Sequence, residues 1–175
     1  AWKWLYAENG LLNQLIKTLG IFPDGIPWLT SPDKILGIVP ISLASVMVVT
    51  IWKGLGYYMV IYLAGLQSIP EDIYEAAAID GSEGIRQHID ITIPLMRPYL
   101  ALVAVISAIS ATKVFEEVYI MTGGGPINSS KTIVYYLYEQ AFSNLQLTYA
   151  CTIGLVLFLI ILGLSYLQIG ITRER

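Results

Sequence analysis

The sequence predicts an all-α membrane protein with three spanning helices. Of its 175 residues, 55% are hydrophobic and only 13% are charged. An ordinary soluble domain carries about 25% charged residues, and the mean hydropathy here is +0.64. The apolar residues are also concentrated. They fill Ile35 to Leu66, Pro98 to Met121 and Tyr149 to Ile171, and a bilayer crossing needs about 20 such residues. The chain between them has no polar helices to form the outer layer of a soluble bundle, which disfavours three buried helices in a water-soluble fold.

The same composition excludes several classes. Disorder is incompatible with so much apolar content. A net charge of −3 and no basic stripe argue against nucleic-acid binding. A single cysteine, Cys151, leaves no internal disulfide and no cysteine-based zinc site. With one histidine and no nucleophile–base pair at recognisable spacing, neither a metal centre nor an enzyme is expected. The chain begins at Ala1 with no charged-then-apolar leader, so its start is expected to lie upstream.

The elements follow in order. Residues 1–34 hold Trp2, Trp4 and Trp28, with turn signals at Asn9-Gly10 and Pro23-Asp24-Gly25. Leu11, Leu12, Leu15, Ile16 and Leu19 recur at helical spacing, predicting a short amphipathic helix at a membrane surface, with the tryptophans at headgroup depth. The first span, about 35–66, would be about 48 Å long as one helix. That exceeds the roughly 30 Å hydrocarbon core, so the helix is expected to protrude, tilt or break, with Lys53-Gly54-Leu55-Gly56 as the place for a break. Lys53 should face protein or water rather than lipid.

Residues 67–97 form the one long polar stretch between spans, with Glu71, Asp72, Glu75, Asp80, Glu83 and Asp90 against Arg86 and Arg97. Ser68 is a candidate N-cap, with Pro70 and acids in the first turn. Gly81 is placed to end this helix, and a second short helix is expected over Glu83 to Ile89, before Pro94 and Pro98. Small residues at 76–78 would let another surface approach closely. The second span, about 98–121, would set Lys113 and Glu117 four residues apart on one face.

Thr122-Gly123-Gly124-Gly125-Pro126 must end that helix. The glycines lack the preceding strand and the following Lys-Ser/Thr pair of a phosphate cradle, so they read as a turn. Ser129 or Ser130 is placed to cap a helix over Lys131 to Phe142, and the third span follows at about 149–171. Orientation stays open. Lys3, Lys17, Lys34 and Lys131 lie on one side and Arg86, Arg97, Arg173 and Arg175 on the other, four against four.

The 67–97 loop resembles a known family. Glu75-Ala76-Ala77, three residues, Gly81, nine residues, Ile91, then Ile93-Pro94 is similar to the cytoplasmic loop signature of binding-protein-dependent ABC transporter permeases. Ile93 stands where leucine is usual. Ile69-Pro70, Tyr74 and Ile79-Asp80-Gly81 look like the sugar-uptake, maltose-type branch. Trp52-Lys53 with Leu63-Ala64-Gly65-Leu66-Gln67, and Phe115-Glu116 with Tyr119 to Pro126, extend the resemblance over essentially the whole chain. Two positions depart from the pattern: His88 where an aromatic is usual, and Ser82 where alanine is common.

The resemblance implies an ABC importer permease (MetI-like) fold in a bacterial or archaeal inner membrane, with about six spans of which this chain holds the last three. It implies a coupling helix in 67–97 that docks on a separate ATP-binding cassette ATPase subunit. Glu75, Ala76, Ala77, Gly81, His88, Ile91 and Pro94 would form that contact. ATP would be bound by the partner subunit, with no cofactor on this chain. Residues 1–34 and the loop bearing Gly123, Gly124, Gly125 and Pro126 would be extracytoplasmic and face a solute-binding protein. A second permease subunit and membrane lipid complete the implied partners. Two other classes compete: an ion-coupled secondary carrier using Lys53, Lys113, Glu116 and Glu117, and a membrane scaffold that transports nothing.

Overall fold

The computed structural model describes residues 1–35 and 37–173. Leu36, inside the first predicted span, and Glu174 and Arg175, at the predicted far end, lie outside the described residues. The chain divides into two compact units, Ala1–Trp52 with Ala111–Leu159, and Lys53–Ser110 with Ile160–Arg175. Among the described residues, three helical runs are long and apolar enough to cross a membrane: Ile41–Gln67, Ile85–Met121 and Leu147–Gln168.

The first unit opens with α1 (Trp2–Leu5) and α2 (Leu11–Thr18). Leu11, Leu15 and Leu19 of the amphipathic stretch are exposed, as an interfacial helix requires. The tryptophans are placed unequally. Trp4 is exposed, but Trp2 packs edge-on against Trp52 at 5.1 Å and Trp28 packs against Tyr6 at 5.8 Å. These rings cover a core of Tyr6, Val46, Val49, Val118 and Met121, and burial pushes the Tyr6 hydroxyl pKa up.

The strand β1 (Lys34–Ile35) pairs antiparallel with β2 (Val39–Pro40) around Gly37 at φ +73°. The first span therefore begins later than composition suggests. Its helix, α3, covers Ile41–Gln67. Apolar content extended the expectation into a hairpin, because apolar residues suit either state and Pro40 marks the boundary. The 27 residues of α3 make about 40 Å. No break occurs at Gly54 or Gly56, both inside α3. Each glycine costs a helix only about 1 kcal/mol, too little to interrupt a long apolar run.

Within the second unit, α4 (Glu71–Ile79) and α5 (Ile85–Gln87) precede a wide π turn at His88–Thr92 and then α6 (Ile93–Thr112). The expected separate helix before Pro94 is thus continuous with the span. The wide turn sits just ahead of Pro94, which has no N–H to donate four residues back, and it accommodates that loss without ending the helix. Where α3 and α6 cross, Gly65 is buried. A side chain there would meet Tyr99 Cγ at 2.7 Å and Met96 Sδ at 2.9 Å. Ser68 does not cap α4. Its hydroxyl donates back to the Gly65 carbonyl at 2.7 Å and accepts from Tyr99 at 3.2 Å.

In the first unit the helix is interrupted over Lys113–Phe115 before α7 (Glu116–Met121). The expected Lys113–Glu117 spacing on one continuous helix is therefore lost. The Thr132 hydroxyl donates to the Val114 carbonyl at 2.7 Å, replacing a ladder bond with a tertiary one. α8 (Ile133–Tyr138) leads into a second wide turn at Glu139–Ser143, and α9 runs Leu147–Arg173.

Candidate functional site

The predicted loop signature folds into a helix, a tight turn and the root of a span. Glu71 and Asp72 occupy the first turn of α4, where the helix dipole favours acids. Its other end closes on Gly81 at φ +82°. The Gly81 N–H donates to the Ala78 carbonyl at 3.0 Å and the Ser82 N–H to the Ala77 carbonyl at 2.9 Å, the two bonds of a Schellman end.

This explains the glycine. No atom lies within 4 Å of a side chain built at Gly81, so only the left-handed backbone opposes substitution. Gly81→Ala is expected to destabilise the loop by about 1 kcal/mol. Amide exchange in α4 should rise roughly fivefold, with a smaller rise for Gly81→Asn.

Between α4 and the α5 turn lies a concavity of about 530 Å³ lined by Asp72, Ile73, Ala76, Ala77, Asp80, Ser82, Arg86, Asp90 and Ile91. The Asp90 carboxylate accepts from Ser82 at 3.2 Å and Arg86 at 3.3 Å. Both groups of the Arg86 pair are largely solvent-exposed, so it contributes under about 1 kcal/mol. Of the signature residues, Ala76, Ala77 and Ile91 come together on this concavity. Glu75 and His88 are exposed outside it, and Pro94 is half-buried as the second residue of α6.

Two residues that the sequence reading did not single out, Gln87 and Thr92, join Tyr74 and His88 beside the concavity. The Tyr74 hydroxyl is 3.1 Å from Thr92 Oγ1, His88 Nδ1 is 3.2 Å from that same oxygen, and Gln87 Nε2 donates to the Tyr74 carbonyl at 2.8 Å. One signal was available: Thr92 is a lone hydroxyl within Ile91-Thr92-Ile93.

The glycine-rich stretch builds a rigid turn in the first unit. Gly123 and Gly124 take φ +58° and +79°, Ile127 and Asn128 are also left-handed, and the Gly125–Pro126 bond is cis. Ser130 is fully buried, its oxygen 2.6 Å from the Gly125 carbonyl and 2.7 Å from Thr122 Oγ1. The Ser129 hydroxyl lies 3.0 Å from that of Ser42. With both serines so engaged, Thr132 caps α8 instead, accepting from the Tyr135 N–H. Tyr135 in turn donates to the Gly123 carbonyl at 2.8 Å. Phe115, Tyr119, Tyr135, Tyr138 and Phe142 stack beside the turn. A hydrogen bond to Tyr119 pushes the Tyr138 hydroxyl pKa up. Lys131 pairs with Glu139.

Residues 5–170 match the family described as the binding-protein-dependent transport system inner membrane component. The sulfoquinovosyl glycerol transport system permease protein SmoG of Agrobacterium fabrum is 33% identical over 175 residues, covering 100% of this chain and 54% of that protein. The lactose transport system permease protein LacF of Rhizobium radiobacter is 36% identical over 178 residues, covering 99% and 57%. The chain thus spans about half the length of these relatives. A crystal structure of a bacterial ABC transporter that imports alginate shares the fold, with TM-score 0.79 at 24% identity over 98% of this chain and 57% of that one. The three membrane-length helices, the helical loop between the first two and the match along almost the whole chain agree: this chain belongs to the binding-protein-dependent inner membrane components, with the fold of an ABC importer permease.

Proposed function

We propose that the chain forms part of the permease subunit of an ATP-driven importer of sugars or related polyols, in a bacterial or archaeal cell membrane. In this reading α4 and the turn after it dock on an ATP-binding cassette subunit, which binds the ATP. Residues 67–97 are cytoplasmic. Residues 1–34 and 122–148 are extracytoplasmic, and the turn from Gly123 to Pro126 faces a solute-binding protein. A second permease subunit completes the path.

One observation carries this reading above the others. In the polar stretch ahead of the second span, Ile79 is 87% exposed and Ile73, on the lining of the concavity, 36%. Such side chains around a concavity suit a protein partner. The acids of α4, Glu71, Asp72 and Glu75, would favour a partner with basic groups. The sugar class is supported by the names of the relatives, which concern lactose and sulfoquinovosyl glycerol.

The test uses the full-length permease expressed with its ATPase and second subunit. Ala76→Trp fills the concavity from an exposed helix position. It should lower co-purified ATPase at least about tenfold, the loss of an interface anchor, while membrane insertion is retained. Sugar uptake into proteoliposomes should require ATP. Uptake that persists without ATP and follows a proton or sodium gradient would instead establish the ion-coupled carrier.

A further inference from the structure

We infer that Thr92 is the positioning residue through which displacement of α4 enters the α6 span, with Tyr74 as its counterpart on α4. This rests on the coupling role proposed above for 67–97. Among the described residues of that loop, Thr92 is the one buried polar side chain, 8% exposed. Its Oγ1 is 3.1 Å from the Tyr74 hydroxyl and 3.2 Å from His88 Nδ1.

Tyr74 is gripped twice. Its phenol meets Thr92, and its carbonyl accepts from Gln87 Nε2 at 2.8 Å. Both grips land on the wide turn or the residue before it. That turn is where the run into the span departs from regular α-helical bonding. The Ile93 N–H closes on the His88 carbonyl, and Pro94 next to it offers no N–H. The ion pair of Arg86 with Asp90 lies within the α5 side of the loop, four residues apart and exposed. It does not reach α4 and is screened by solvent. Tyr74 to Thr92 is the buried polar link from α4 to the root of α6. A threonine hydroxyl donates once and accepts as well, so it bridges a phenol and an imidazole in either tautomer of His88.

The test uses the full-length permease with its ATPase and partner subunit in proteoliposomes, and reads sugar taken up per ATP hydrolysed. Thr92→Val keeps the shape and removes the hydroxyl. Tyr74→Phe removes the other partner. Each should lower uptake per ATP about fivefold, the scale of one hydrogen bond. The double variant should be no worse than either single one. Thr92→Ser should restore coupling. Co-purified ATPase should be unchanged throughout, with only the fall of a few degrees in melting temperature that one lost hydrogen bond brings. Unchanged uptake per ATP in Thr92→Val, with the ATPase retained, overturns this inference and leaves the coupling role standing. A loss of ATPase or of melting temperature that accounts for the lost uptake also overturns it, because Thr92 then only holds the loop together. A wild-type permease that retains no ATPase overturns both.

Discussion

Replacing Asn13 with alanine is expected to cost the first unit roughly 2–4 kcal/mol, because it leaves two part-buried donors without acceptors. Asn13 is 2% exposed and sits on α2. Its Oδ1 accepts from the Ile26 N–H at 2.9 Å and from Trp28 Nε1 at 3.0 Å. Its Nδ2 donates to the Ile26 carbonyl at 2.9 Å and the Glu8 carbonyl at 3.2 Å, with the Ala7 carbonyl at 3.4 Å. One amide therefore ties α2 to the stretch that seats Trp28 on the core. Losing it should release 19–31, which contains Pro23, Pro27 and few regular bonds of its own. Thermal denaturation of the detergent-solubilised protein and protease cleavage within 19–31 would measure the effect. Gln14→Ala is the control. That neighbour makes an exposed hydrogen bond to Asn9, and its loss should stay within about 0.5 kcal/mol.

Gly65→Leu should be comparably damaging, at about 3 kcal/mol or more, from overpacking a tight crossing. A single carbon at this position already falls 2.7 Å from Tyr99 Cγ and 2.8 Å from Tyr99 Cδ2. These atoms lie at the fixed base of the ring, and the ring tip is tied to Ser68 by its hydroxyl. Met96, the third neighbour, is itself buried. The side chains have little room to move, so the helices must separate and lose the close approach that small residues allow. Gly56→Ala offers the contrast. No atom lies within 4 Å of its added carbon, so it should be neutral or gain up to about 1 kcal/mol of helix propensity. Melting temperatures of the two variants, compared in one detergent, would separate packing from propensity.

Much of the candidate site was legible because it depends on local chemistry. A left-handed helix end asks for glycine, and Gly81 supplies it. A dipole start asks for acids, and Glu71 and Asp72 supply them. The less legible parts involve partners distant in sequence. The buried Thr92 hydroxyl meets Tyr74, eighteen residues earlier. Asn13 looks like an ordinary polar residue of an amphipathic helix until Ile26 and Trp28 fold over it. The break at Lys113–Phe115 places the Val114 carbonyl on the Thr132 hydroxyl, eighteen residues later. Likewise Ser129 and Ser130 have the chemistry of caps, but the turn around Gly125 and the start of α3 hold them elsewhere.

The sequence by itself determined the solvent this protein expects. Three apolar runs and a charge content of 13% require lipid around them, since bilayer thickness and the cost of burying charge depend on composition alone. It also determined that the polar loop is helical and where its first helix ends. The tertiary structure decided where the spans begin and break, which glycine marks a close crossing and which polar groups are buried. Those outcomes depend on which backbone groups find partners and which side chains meet, and such meetings are made between residues far apart in the chain.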